Sequence, residues 1–447
     1  MTNVKIVAVD RDRLRHIADR AVHFRRPNGL GLPVAAPPPV HVIADMMVER
    51  PLPLPELRGV VHAPFFTPSG RLVLRSGYDE ETKRYLHLPE SLLYLTVSEA
   101  PSTADVERAL GTIRDLLCDF PFASAADEAN ALAKLLDPFT RTIHDSITPF
   151  YVISAPAAGT GKAKLADVLT IPAVGASVMR TPLPTAEAEV GKALLAYLLD
   201  GVDHIHFDNF EGTLSSPTLA AFVTSPTYSG RVLSMSKTAE LPQRVNLSLS
   251  GNNVQLGGDF ARRVTLIHLD AGIARPEQRT EFKHPKIEDW ATENRGMIVE
   301  ACLTLIQSWV AAGMRPGSVT KGSFEKWAAT TSGILEHAGV GDLEGNREEV
   351  DVVADVGADA WERFVGQWCE RFGLAEVRPS QLTELLELVE IPPFWVGETA
   401  TERSLSISLG KALTKVRDRI FGGFRITLCR QDTKSGSRIW KLTPAGS

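Results

Sequence analysis

The sequence predicts an α/β protein built on a largely parallel sheet, with a small β-rich module before it and helical modules after it. Three observations predict this. From Phe150 onward, apolar runs rich in β-branched residues alternate with helical patterns, which is how parallel strands covered on both faces are written. Residues 1–100 break their apolar runs with proline. Residues 376–447 set two helical patterns before two strand-like runs about a polar turn.

Taken in order, the first module carries Pro37-Pro38-Pro39, then Pro51, Pro53 and Pro55, then Pro64 and Pro68. Proline lacks the ladder donor and is expelled from helix interiors, so small strands and turns are expected. Thr67-Pro-Ser-Gly70 reads as a hairpin connection between Val60-Val-His62 and Arg71-Leu-Val-Leu-Arg75. Behind an N-cap candidate in Pro101-Ser102-Thr103, Val106, Leu110, Ile113, Leu116 and Leu117 recur at helical spacing, and a second amphipathic stretch runs from Ala125 to Leu136. Strands follow at Phe150 to Ser154, Val202 to Phe207, Val245 to Ser250 and Val264 to Leu269, with a helix from Lys162. Residues 286–375 read as helical, with Trp290, Ile298, Cys302, Leu305, Trp309, Trp361, Phe364 and Trp368 on apolar stripes that belong in a core. Ser380 can cap Gln381 to Leu388, Leu405 to Ile420 is a further helix ending at Gly422-Gly423, and Phe424 to Cys429 and Arg438 to Leu442 flank the turn Thr433-Lys-Ser-Gly436. Helices followed by such a hairpin make a winged helix. The expected boundaries are 1–100, 101–285, 286–375 and 376–447.

At 447 residues, 44% hydrophobic and 23% charged, the chain is neither disordered nor fibrous. Lys plus Arg number 48 against 54 Asp plus Glu, a formal charge of -6, so any nucleic-acid contact has to be local. Cys118, Cys302, Cys369 and Cys429 show no short pairwise spacing, which argues against a zinc ribbon or a disulfide framework and for a reducing cytoplasm. No run approaches the roughly 18 to 20 apolar residues that span a bilayer, so a soluble protein without membrane contact is expected.

The strongest chemical signal is Ser154-Ala-Pro156-Ala-Ala158-Gly159-Thr160-Gly161-Lys162-Ala163, directly after a strand and before a helix. Gly159 and Gly161 let the loop turn backbone N–H groups inward around phosphates, and Lys162 can neutralise their outer oxygens. Pro156 replaces the first glycine of the usual pattern, and Ala163 stands where a Ser or Thr would hold Mg²⁺. The apolar strand His204-Ile-His206-Phe-Asp208-Asn209 ends in an acid suited to Mg²⁺. Asn246-Leu-Ser-Leu-Ser250 runs into Gly251-Asn252-Asn253, which offers a neutral amide to a γ-phosphate or an attacking water, and Asp259-Phe-Ala-Arg262-Arg263 brings an arginine to the start of the last strand. An arginine there can reach a neighbouring subunit's phosphate in trans.

Gly159-Thr-Gly-Lys162, His206-Phe-Asp-Asn209, Gly251-Asn-Asn253 and Gly258-Asp-Phe-Ala-Arg-Arg263 together resemble the AAA+ replicative helicases of phages, plasmids and other bacterial mobile elements, related to superfamily 3 and the minichromosome maintenance helicases. The resemblance covers roughly residues 100 to 310. It implies an AAA+ P-loop NTPase core that uses ATP and Mg²⁺ and works as a homo-hexameric ring in DNA replication. By the same resemblance Lys162 binds phosphate together with the loop, Asp208 handles Mg²⁺, Asn252 is the first sensor with Asn253 as fallback, and Arg263 is the finger with Arg262 adjacent. Asn209 leaves no glutamate in the usual catalytic place, so the base falls to Glu187, Glu189 or Glu211. In these helicases a hairpin projects into the central channel. Here Gly230 to Pro242, tipped by Lys237 and flanked by Arg231 and Arg244, reads as that hairpin, where basic groups grip single-stranded DNA without reading sequence.

Lys411, Lys415, Arg417, Arg419, Arg425, Arg430, Lys434 and Arg438 give the last module a local basic excess suited to duplex DNA. Residues 1–100 show no zinc-binding cysteine set, so a primase would be a separate partner. A second expectation is a DNA-binding initiator or adaptor with little or no hydrolysis, which Ala163 and Asn209 favour.

Overall fold

The computed structural model describes residues 6–7, 9–49, 54–232, 238–273, 275–386, 388, 402–431 and 438–445. The chain divides into two compact units, one of residues 1–210, 217–252 and 263–344, the other of residues 211–216, 253–262 and 345–447.

The first unit is mixed α/β around a five-stranded sheet. Its strands are β1 Phe150–Ala155, β2 Met179–Thr181, β3 His204–Phe210, β4 Asn246–Asn252 and β5 Val264–His268, in the order β5-β1-β4-β3-β2, and every pair is parallel. All six residues of β1 are buried, as a near-continuous Phe-Tyr-Val-Ile run requires of a central parallel strand. The helices are α1 Thr103–Leu117, α2 Ala125–His144, α3 Lys162–Val168, α4 Glu187–Leu199, α5 Pro217–Thr224, α6 Arg295–Ala311 and α7 Glu325–His337. Ser102 caps α1 in a reciprocal box with Asp105. Helix α2 packs on β5 and α3 on β1 and β4, while α6 packs on α1 and α7 on α2.

Three sequence expectations are corrected here. Helix α2 continues past Leu136, through Pro138, to His144. Proline removes one helical bond, and burial of Leu135, Leu136 and Phe139, each 1% exposed or less, offsets that loss. Residues 1–100 hold short strands but also the helices Arg11–Ala21 and Val40–Val48. Asp10 caps the first by accepting from the Arg13 amide at 2.8 Å. Pro39 sits at the N-cap of the second, where a missing N–H costs nothing, so this proline bounds the helix. The Thr67–Gly70 turn forms, but it joins Phe65–Phe66 to Leu72–Val73, while Gly59–Val61 pairs in parallel with Arg84–Leu86. Phe65 and Phe66 are the buried residues there, and their burial selects the register.

The second unit contains α8 Arg347–Phe372, a short helix Pro379–Leu382 running into a 3-10 turn Thr383–Leu386, α9 Glu402–Lys415, and an antiparallel sheet of Ile420–Phe421, Phe424–Gln431 and Arg438–Pro444. Arg378, not Ser380, takes the N-cap, because Pro379 is preorganised for the first helical position. The turn Thr433–Gly436 lies outside the described residues. Trp361, Phe364, Trp368, Leu409, Leu413 and Trp440 form one core across α8, α9 and the sheet. Trp309 is buried in the first unit as expected, whereas Trp290 is half-buried and stacks on His284. All four cysteines are free. Among the described residues no helix is long and apolar enough to cross a membrane.

Candidate functional site

The site is assembled at the C-terminal ends of β1, β3 and β4. Chain leaving β1 must reverse into α3 within a few residues, and it does so through Gly159 at φ +80° and Gly161 at φ +91°. Both lie in the left-handed region, where only glycine sits without strain. Parallel pairing sets Asn252, at the end of β4, opposite Ala155, the last residue of β1. That register delivers the Asn252 side chain to the loop. Lys162 Nζ donates to Asn252 Oδ1 at 2.7 Å, to the Ala157 carbonyl at 3.1 Å and to Thr160 Oγ1 at 3.4 Å. Burial holds the Lys162 ammonium below its ordinary pKa, with Asp208 opposing that shift. A bound phosphate oxygen would take the place of these neutral acceptors.

Asp208 owes its aim to a defect in the ladder. The β3–β4 register shifts between Phe207 and Phe210, and Asn209 adopts φ +55°. Such a bulge turns a side chain out of the pleat. Asp208 Oδ1 accepts from Ser250 Oγ at 2.5 Å and from the Asn209 amide at 2.9 Å. Burial pushes this carboxyl up, but the Ser250 hydroxyl and the Asn209 amide outweigh it and leave the group below the ordinary carboxylate range. Beneath it, His206 is fully buried, its Nδ1 is 2.9 Å from Ser248 Oγ and its Nε2 is 3.9 Å from Asp208 Oδ1. Burial depresses its pKa to about 3, so the ring beside Asp208 is neutral.

The donor set fits a magnesium ion held by one protein carboxylate. Both bonds to Asp208 fall on Oδ1, so Oδ2 is the oxygen that would reach the ion, and Ala163 contributes none. Magnesium commonly binds through one or two carboxylates plus substrate phosphates and water.

Sequence reasoning missed Ser248, Ser250 and Arg180. The serines were legible as polar residues two apart in the strand Asn246-Leu-Ser-Leu-Ser250, where i and i+2 share a face. Arg180, paired in register with His206, ion-pairs with Asp167 and donates to the Ala163 carbonyl at 3.3 Å. It therefore stands over the residue that replaces the expected hydroxyl.

Other predicted residues are placed as follows. Pro156 and Ala158 are exposed on the loop, and Thr160 is buried with Oγ1 donating to the Ala157 carbonyl at 3.4 Å. Glu187 accepts from the Thr218 amide of α5 at 3.0 Å, and Glu189 pairs with Lys192 within α4 at 2.7 Å, so both acids of the first turn of α4 are engaged. Asn253 is exposed at φ +46° and, like Glu211, belongs to the second unit. The 3-10 turn Gly258–Arg263 leads into β5, with Arg262 exposed and Arg263 half-buried. The hairpin arms Thr227–Arg231 and Thr238–Pro242 pair antiparallel with Arg231 opposite Thr238, and Lys237 lies outside the described residues. Arg417, Arg425 and Arg438 are all exposed. Arg417 Nε is 3.1 Å from the Asp418 carboxylate, Arg425 donates to the Asp418 carbonyl at 3.2 Å, and Arg438 donates to Thr414 Oγ1 at 2.5 Å.

The fold and the site define an α/β protein with a glycine loop and a converging Lys, Asp and Asn at the carboxyl edge of a parallel sheet. No family model matches the chain and no curated protein matches it. Among solved structures, it is similar to the apo A form of the NrS-1 C-terminal region, at 14% identity over 85% of each chain with a TM-score of 0.41. It is also similar to the active helicase SCCmec type IV Cch, at 14% identity over 91% of this chain and 82% of that one with a TM-score of 0.37. The JCV helicase matches at 14% identity over 56% of this chain and 73% of its own, with a TM-score of 0.26.

Proposed function

We propose that the chain is an AAA+ ATP hydrolase that translocates on DNA as a helicase of a mobile genetic element. The observation that carries this reading is the 2.7 Å bond from Lys162 to Asn252, with Asp208 coupled to the same ammonium from the next strand over. Those three side chains converge on the glycine loop, and this is the set that positions a nucleoside triphosphate. Lys162 exchanges the Ala157 carbonyl and Asn252 for β- and γ-oxygens, which frees the Asn252 amide to orient water toward the γ-phosphate. Asp208 stays ionised and would hold Mg²⁺, whose charge offsets that building up on the phosphates. Ser250 and the Asn209 amide fix the direction of that carboxylate.

On this reading Arg263 completes a neighbouring subunit's site in a homo-hexameric ring, and the Lys237 hairpin grips single-stranded DNA in the channel. The last module is a winged helix that touches duplex DNA through Arg417, Arg425 and Arg438, and any primase would be a separate partner in the cytoplasm. The test is steady-state ATP hydrolysis with and without single-stranded DNA. Turnover stimulated by DNA is expected, and absence of turnover under both conditions overturns the motor. A second reading, a DNA-binding initiator or adaptor without hydrolysis, is favoured by Asn209 in the turn where a catalytic glutamate would stand and by Arg180 bonded over Ala163. It is the outcome if nucleotide and DNA bind but no phosphate is released.

A further inference from the structure

The geometry points to a second cation site, made by Asp115, Cys118 and His284 and suited to a thiophilic divalent metal such as Zn²⁺. One carboxylate oxygen, the Cys118 Sγ and one ring nitrogen of His284 all lie within 4.8 Å of one another. Sulfur, imidazole and carboxylate together are the donor types zinc takes, and three protein ligands leave the fourth tetrahedral position to water. The three residues come from two segments far apart in sequence, so the cluster is a product of folding.

Local structure prepares each ligand. Asp115 and Cys118 are three residues apart at the end of α1, with Cys118 as its C-cap, so they share a face at the helix end that attracts cations. His284 is held from two sides. Its ring stacks on Trp290 at 4.2 Å, and its backbone amide donates to Asp119 Oδ2 at 2.8 Å while the Lys283 amide donates to Asp119 Oδ1 at 3.0 Å. That leaves His284 Nε2 pointing at Asp115 Oδ1, 3.0 Å away. Outer contacts of this kind, which fix a ligand's orientation, are what metal sites carry around their ligands.

The present occupant of the cation position is the Lys283 ammonium, 2.6 Å from the same Asp115 Oδ1. Its side chain is 63% exposed and can move into water as a metal enters, whereas the His284 side chain is 11% exposed and stays. Cys118 is exposed, which provides the entry path. Binding forms a metal–sulfur bond and releases the thiol proton to solvent. The site joins the end of α1 to the segment that follows the turn Pro276–Gln278. That turn lies against the phosphate loop, where a Cβ added at Gly159 would meet Glu277 Cβ at 2.7 Å.

Titration of the full chain with Co²⁺ at neutral pH tests this. One equivalent is expected to bind with a near-ultraviolet thiolate-to-metal absorption that Zn²⁺ displaces. Cys118→Ser should abolish that absorption, Cys429→Ser should retain it, and Asp115→Asn should weaken affinity about tenfold or more. No thiolate absorption in the intact chain, or absorption that survives Cys118→Ser, overturns the site. Because Cys118 is exposed, the serine variant should melt with the parent in the absence of metal, which separates loss of a ligand from loss of fold.

Discussion

Ser250 shows how much of the site depends on a residue that carries no charge. Its hydroxyl is the largest influence that keeps the Asp208 carboxyl low against the upward push of burial. Ser250→Ala removes a donor to the ionised form, so the folded-state pKa of Asp208 rises. The carboxylate is then lost at a higher pH, and the acid limb of the ATPase rate profile should move up by about one pH unit, since a hydrogen bond to a charge is worth about 1.5 kcal/mol and one unit is about 1.4 kcal/mol. An unmoved acid limb would show that Asp208 does not govern it. At this scale Lys162, Asp208 and Asn252 were legible because each lies in a contiguous motif whose chemistry is local. The strand face of Ser250 was legible, but its bond to Asp208, like the contacts of His206 and Arg180, crosses strands through the registers of β4 and β2 against β3, and a single sequence does not write register.

Elements follow the same division. The alternation after Phe150 sufficed for all four core strands it named, and the edge strand Met179–Thr181, only three residues long, was too short to announce itself. Patterning also stopped α2 early, at Leu136, whereas burial against β5 and α7 carries the helix on through Pro138. The glycine loop is itself tightly constrained. A Cβ at Gly159 would lie 2.7 Å from Glu277 Cβ and 2.8 Å from the Glu277 amide nitrogen, and the residue's φ of +80° is unfavourable to any side chain. Gly159→Ala should therefore cost about 1–3 kcal/mol and displace the turn Pro276–Gln278. Thermal unfolding of the full chain reads the cost, and an unchanged midpoint would mean that this turn does not press on the loop in solution.

For the whole molecule, the shared core of the second unit decides how DNA binding can be tested. Cutting the chain at residue 376 would strip Trp361, Phe364 and Trp368 of their partners Leu409, Leu413 and Trp440, so a truncation would confuse misfolding with lost contact. Replacing the exposed Arg417, Arg425 and Arg438 by Glu leaves that core intact. Duplex affinity should then fall and its salt dependence should flatten, while ATP turnover without DNA persists. Equal affinity in the parent and the triple variant would make this face a protein interface. Assembly needs a different argument, because a finger acting across an interface cannot be seen in one chain. Lys162→Ala should abolish turnover if, as proposed, the half-buried ammonium meets phosphate, and Arg263→Ala should abolish it separately if its guanidinium reaches a neighbouring site. Mixed together, the two inactive proteins place an intact loop beside an intact arginine at some interfaces, and those interfaces should hydrolyse ATP. Turnover measured against mixing ratio should peak between the two pure proteins. A mixture that assembles and stays inactive at every ratio would assign Arg263 to its own subunit.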